Sequence, residues 1–198
     1  MQVGMAVRAL NDDPHCGDVC RYWRQGHTMT LCIADGLGHG LYAERAAQAA
    51  VDYVGRHLTA PLEDIFAGCD QALHRTRGVA MGLAIVDEAA EALSYAGIGN
   101  PRAIVVGKRI FRLRNDYGVV GSGYRALSTE TVSFRPGDLV ILATDGVAET
   151  VDVSAYSLAE RSNVQDLANR ILRDWRRETD DAAVLVGRRE GGHRGSVV

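Results

Sequence analysis

No stretch of this chain approaches the roughly 18 uninterrupted apolar residues of a membrane span, so no spanning helix is expected. The start, MQVGMAVRALNDD, has neither a basic n-region nor a long apolar h-region and does not read as a secretory leader. Basic residues are not in excess. Lys and Arg number 22 against 25 Asp and Glu, a net charge of −3, which argues against nucleic acid as the main partner. The basic clusters WRRE (175–178) and GRRE (187–190) read as solvated helix and strand ends rather than as a phosphate-binding patch. Cysteine is sparse. Cys16 and Cys20 are separated by three residues with no second pair, and Cys32 and Cys69 stand alone, which matches no common zinc pattern. Free thiols in a reducing compartment are the expectation. Together these absences predict a cytoplasmic protein with no membrane and no nucleic-acid partner.

What is present fits one soluble domain. The 198 residues, 46% hydrophobic and 24% charged, suffice for a substantial core. Neither an internal repeat nor a linker is visible, so one domain is expected over 1–190, with 191–198 (GGHRGSVV) as a disordered tail. Strands are predicted at 2–10, then as a hairpin over 17–26 and 27–35 with its turn near Gln25-Gly26. From Gly40 to His57 the period becomes helical, with Ala43, Ala46, Ala47, Ala50, Val51 and Val54 on one face. Pro61 opens a second helix running to about Arg75. Strands return at 79–87, 92–99, 102–107 and 109–114, and two more flank the turn Arg135-Pro136-Gly137-Asp138. Asn163 caps a last predicted helix over 164–177, with Val164, Leu167, Ile171, Leu172 and Trp175 as its buried stripe. Residues 182–187 form a final strand. This order is not the alternation of a parallel α/β sheet. It points to antiparallel sheets with helices packed outside.

Acids recur at the ends of apolar strands, three of them beside glycine: Asp18 in CGD, Asp35 in IADG and Asp145 in ILATDG, and with them Asp180 and Asp181 in TDDAAVLV. Each alone is an ordinary turn residue. As a set they mean more. If these strand ends converge, two carboxylates about 4 Å apart repel by roughly 1 to 4 kcal/mol in water-like to surface-like dielectric. Several together need protons or cations, and carboxylate and carbonyl oxygens suit hard divalent ions.

The series ADGLGHG, an Ala-rich helix, LSYAGIGNPRAIVV, FRPGDLVILATDG and DDAAVLV resembles the PPM family of metal-dependent serine/threonine phosphatases, in its SpoIIE-type branch. The resemblance spans roughly residues 2–187. It implies an α+β fold, a four-layer αββα sandwich of two antiparallel β-sheets flanked by helices. It also implies two divalent cations, Mn²⁺ or Mg²⁺, which activate a water for direct attack on phosphorus. Asp35 would bridge the ions, the backbone carbonyl of Gly36 would bind one, and Asp145 and Asp180 would bind the other, with Asp181 as the alternative to Asp180. Asp18 would hold metal-bound water. The resemblance further implies phosphoserine or phosphothreonine substrates. A catalytic domain starting at its first strand suggests phosphorylated STAS-domain proteins of a stressosome, scaffold or sensor. A phosphorylated anti-anti-sigma factor of a partner-switching pathway is the related alternative.

The sequence also departs from the branch. Arg21 stands where many members carry a second acid after the GD motif. His39 lies four residues after Asp35, not two, so a general-acid role there is weaker than helix-start packing. No arginine clearly matches the phosphate-gripping residue of eukaryotic members, although Arg8 lies upstream. Two other classes compete. A Rossmann-type nucleotide site is opposed by the G-x-G-x-G spacing, by Asp35 at the turn and by the lack of a ribose-binding acid. A non-catalytic binding module would be expected to have lost acids that are here present.

Overall fold

The computed structural model describes residues 1–191. The expected tail over 192–198 lies outside the described residues. In chain order the elements are β1 (Gln2–Arg8), β2 (Asp18–Gln25), β3 (Thr28–Gly36), α1 (Leu41–Arg56), α2 (Leu62–Leu73), β4 (Val79–Asp87), β5 (Ala92–Ile98) and β6 (Arg102–Val106). They continue with β7 (Ile110–Leu113), β8 (Gly118–Val119), β9 (Gly123–Tyr124), β10 (Glu130–Ser133), β11 (Leu139–Ala143), α3 (Leu158–Ser162), α4 (Val164–Trp175) and β12 (Ala182–Arg188). One sheet runs β1-β12-β11-β6-β7 and the other β10-β5-β4-β3-β2, and every pairing is antiparallel. An antiparallel sheet has no place for the parallel crossover of a nucleotide-binding fold, which disposes of that reading.

Two-residue alternation explains the layering. In β3, Leu31 and Ile33 face the first sheet, whereas Cys32 and Ala34 face the helices. In β12, Ala183 and Leu185 point between the sheets while Val184 and Val186 point out to α4. Each sheet is therefore apolar on both faces, and the molecule has three apolar layers. The inter-sheet core holds Leu31, Tyr95, Phe134, Val140 and Leu185, all fully buried. The α1–α2 layer covers the second sheet through the alanine and valine face that the sequence predicts. The α4 layer covers the first through Val164, Leu167, Ala168, Ile171 and Leu172, with Trp175 partly buried beside them. Each large side chain so buried contributes roughly 1.5–3 kcal/mol. The αββα sandwich is thus as expected.

Three features differ from expectation. The hairpin turn is Gly26-His27, one residue later than predicted, because Gln25 pairs with Thr28. Gly26 has φ 57°, the positive value that mirror-image hairpin turns require. Second, the short hairpin β8–β9 and the short helix α3 were not expected. Both are too brief to leave a periodic signal, and α3 is marked only by its capping box, Ser157 with Glu160. Third, Arg189 is not a solvated strand end. It is buried and its guanidinium donates to the carbonyls of Phe134 and Glu88.

Candidate active site

The register of the β2–β3 hairpin sets Asp18 directly opposite Asp35. Both follow the parity of the residues that face the inter-sheet core, so two carboxylates project side by side at one open end of the sandwich. The other sheet brings its acids to the same end. Asp145 follows β11 at the turn where Thr144 bonds back to Ala183, and Asp180 and Asp181 precede β12. Asp35 and Asp145 come within hydrogen-bonding reach of one another. Acids from both sheets thus lie at one end of the sandwich, near enough to raise one another's pKa.

Two glycines make this approach possible. A Cβ on Gly146 would sit 1.8 Å from the carbonyl oxygen of Asp181, and one on Gly36 would sit 2.0 Å from that of Ala43. The glycine after Asp145 admits the chain that carries Asp180 and Asp181, and the glycine after Asp35 admits α1. Gly38 and Gly40, with φ of 85° and 74°, then turn the chain from β3 into the helix.

The electrostatics are those of an over-charged anionic site. Burial pushes Asp35 up to about 9, assisted by the charges of Asp18, Asp145 and Asp180. Burial also pushes Asp18 up to about 7. The Thr144 hydroxyl offsets this in part, and Asp181, Asp145 and Asp180 add to it. Asp180, more exposed, is raised by burial and by Asp145. One oxygen of Asp18, Oδ2, is buried without a hydrogen-bond partner among the described residues. Such an orphan costs about 1–3 kcal/mol or more unless something pairs with it. Among the described residues no three acid, histidine or cysteine side chains are placed as they stand to hold an ion, but the donor set is all oxygen and its carboxylates raise one another, which is the chemistry that hard divalent cations suit.

The two neighbouring acids are not equivalent. The carboxylate of Asp181 is 2% exposed and accepts from the amides of Leu10 and Gly17, each at 2.7 Å. It pins both ends of the 10–17 loop, with one amide on each of its oxygens. Asp180 is exposed, accepts only the amide of Asp181 at 2.9 Å, and lies where Asp145 and His39 both influence it.

Two supporting residues escaped the sequence reading. Asn100 donates to Asp145 Oδ2 at 2.6 Å. Arg102 donates to the carbonyls of Thr144, Val147 and Asp145 and so fixes the backbone of the Asp145 turn. Both sit in the GIGNPRA stretch, where the only available signal was polar residues interrupting an apolar pattern at a strand start. Arg8 is paired with Asp12 and Arg21 lies near Asp52, so neither is turned to the acids. His39 lines a small cavity of about 170 Å³ with His15, Asp13 and Asp181 at the edge of the site. The four cysteines are free thiols. Cys16, the one nearest the acids, is held protonated by burial, with its pKa pushed up to about 12.

A sandwich of this topology, with acids from both sheets at one end, has the fold of the PP2C-type serine/threonine phosphatases. The chain belongs to the SpoIIE family: residues 25–190 match the model for stage II sporulation protein E. It is 24% identical over 175 residues to the phosphoserine phosphatase RsbX of Bacillus subtilis (strain 168), covering 87% of this chain and 86% of that one. A chain solved in a study of the bacterial stressosome as a modular system controlling secondary messenger signalling superposes with TM-score 0.87 at 30% identity, covering 94% of this chain and 98% of that one. The crystal structure of RsbX in complex with magnesium gives 0.84 at 22% identity, covering 94% of each chain.

Proposed function

We propose that this protein hydrolyses phosphoserine or phosphothreonine on partner proteins with the help of two divalent cations, Mn²⁺ or Mg²⁺. The observation that carries this reading is the meeting of Asp18, Asp35, Asp145 and Asp180, with Asp18 Oδ2 buried and unpartnered. Asp35, the backbone carbonyl of Gly36, Asp145 and Asp180 would hold the ions. When bound, the ions supply the positive charge that lowers the pKa of a coordinated water and offsets charge on the phosphoryl oxygens.

The chain's own residues do the rest. Asp18 stands on the floor of the site with an oxygen free to accept a hydrogen bond from a water. Asn100 and Arg102 hold Asp145 and its turn in place. Asp181 ties the 10–17 loop to β12 and so fixes the approach of Asp18 to Asp180. No thiol competes as nucleophile, since Cys16 and Cys20 are both kept protonated by burial. The presence of every acid the chemistry needs speaks against a non-catalytic binding module.

The substrates we propose are phosphorylated STAS-domain proteins of a stressosome, which would place the protein in the cytoplasm. The likeness to RsbX and to the stressosome-associated chain supports this reading. The test is incubation with phosphorylated STAS-domain proteins encoded nearby. Release of phosphate with Mn²⁺, abolished by EDTA, is the expected result. Release of phosphate from p-nitrophenyl phosphate but from none of these proteins would overturn the substrate assignment.

A further inference from the structure

The glycine turn that leaves the acid site carries an arginine the chemistry does not use. Arg77, in the loop between α2 and β4, lies across Gly38. Its Nη1 is 2.8 Å from where a Cβ on that glycine would be, so a side chain there would push the guanidinium aside. The guanidinium donates weakly to the Leu37 carbonyl at 3.4 Å and sits 5.4 Å above the ring of Tyr42. A cation over an aromatic face is held there by the ring's negative quadrupole. No carboxylate pairs with Arg77 among the described residues. This is an exposed positive charge, without a carboxylate partner among the described residues, beside the turn that leaves Asp35.

The same lip is apolar. Leu37 is 38% exposed, Leu41 36% and Tyr42 62%. Val119 of the β8–β9 hairpin packs against Gly78, whose carbonyl receives the Leu37 amide, so the hairpin abuts this rim. A phosphorylated side chain that reaches the acids must lay its flanking chain on whatever surrounds the mouth. The occupant that suits this rim is therefore the substrate protein itself.

We infer that Arg77, Tyr42 and Leu37 form a substrate-selecting rim that takes an acidic side chain of the phosphoprotein on Arg77 and an apolar one on Leu37 and Tyr42. This rests on the proposed phosphatase reading and adds what part of the substrate is read. Tyr42 serves twice, offering its exposed ring to the substrate and holding the guanidinium. Arg77 is placed beside the glycine turn, not among the acids, so it selects the protein rather than gripping the phosphoryl group.

The test compares one phosphorylated STAS-domain protein with p-nitrophenyl phosphate, which carries the phosphoryl group and no flanks. Arg77→Gln should raise KM for the phosphoprotein about tenfold, the scale of one lost charge-assisted contact, with kcat and both constants for p-nitrophenyl phosphate within about twofold. Arg77→Lys should recover only part of the loss, because an ammonium lacks the planar fork. Tyr42→Ala should raise the phosphoprotein KM in the same direction. KM for the phosphoprotein should climb with salt in the wild type and less steeply in Arg77→Gln. An unchanged phosphoprotein KM in Arg77→Gln would overturn the inference. So would a parallel rise for p-nitrophenyl phosphate, which would put Arg77 on the phosphoryl group. Wild-type protein inactive on the phosphoprotein but active on p-nitrophenyl phosphate would instead remove the substrate reading on which the inference stands.

Discussion

Exchanging Asp180 and Asp181 one at a time separates the proposed ligand from a strut. Asp181→Ala removes the acceptor for two amides, Leu10 N and Gly17 N, each 2.7 Å from the carboxylate. Hydrogen bonds to a charged group contribute about 1.5–3 kcal/mol each, so the gross loss is roughly 3–6 kcal/mol. Removing this charge also relieves Asp18, whose protonation it favours, so the lower end, about 3 kcal/mol, is the expected net cost. For a chain of this size that corresponds to a fall in Tm of roughly 6–12 °C. Asp181→Asn keeps one acceptor oxygen and should lose about half as much. Asp180→Asn keeps the oxygen that receives the Asp181 amide and should move Tm by less than about 2 °C, as exposed substitutions do. Its effect is expected in metal affinity, with Mn²⁺ bound at least about tenfold more weakly, more than a supporting residue costs at minimum. Thermal unfolding in EDTA and calorimetric titration with Mn²⁺ give the two readings. The reasoning is refuted if Asp181→Asn unfolds normally and loses Mn²⁺ while Asp180→Asn binds it as the wild type does.

The metal-free protein should lose stability as pH rises from about 4 toward 9. Asp18 and Asp35 hold their protons more tightly folded than unfolded, so the unfolded chain binds fewer protons across that window and gains from each increase. Thermal scans in EDTA check the slope, and added Mn²⁺ should raise Tm more at pH 8 than at pH 5.5. A metal-free Tm that climbs through this range would contradict the charge balance described. Gly146→Ala drives a Cβ into the Asp181 carbonyl, which is backbone and cannot swing away; it should cut soluble yield or Tm severely, whereas Gly137→Ala, which meets nothing, should show only the milder strain of its φ of 93°. Asn100→Ala frees the Asp145 carboxylate and should raise the Mn²⁺ concentration needed for half-maximal rate by about ten- to a hundred-fold, with the fold intact by circular dichroism.

The helices were legible because their faces repeat. Ala43, Ala46, Ala47 and Ala50 recur at helical spacing and are all fully buried, and Asn163 caps α4 as its position suggested, accepting from the Asp166 amide. The strand ends were legible as acids beside glycine. What they meet was not, because convergence depends on register. A turn at Gln25-Gly26 would have put Asp18 opposite Ile33, and the observed turn one residue later moves it two places, opposite Asp35. The division of labour between Asp180 and Asp181 depends on two amides more than 160 positions away in sequence, which no local pattern could report. The positions of Asn100 and Arg102 at the Asp145 turn are equally non-local.

The central claim is that Asp35 and Asp145 hold the ions that make this a phosphatase. Purified wild type, Asp35→Asn and Asp145→Asn should be compared on p-nitrophenyl phosphate across a Mn²⁺ titration, with EDTA as the zero point and circular dichroism as the fold control. The account predicts Mn²⁺-dependent turnover in the wild type and its loss by at least about a hundredfold, on the order of 2.7 kcal/mol of barrier, in both folded variants. Turnover that persists in EDTA, or a near-normal Mn²⁺-dependent rate in either variant, would contradict it.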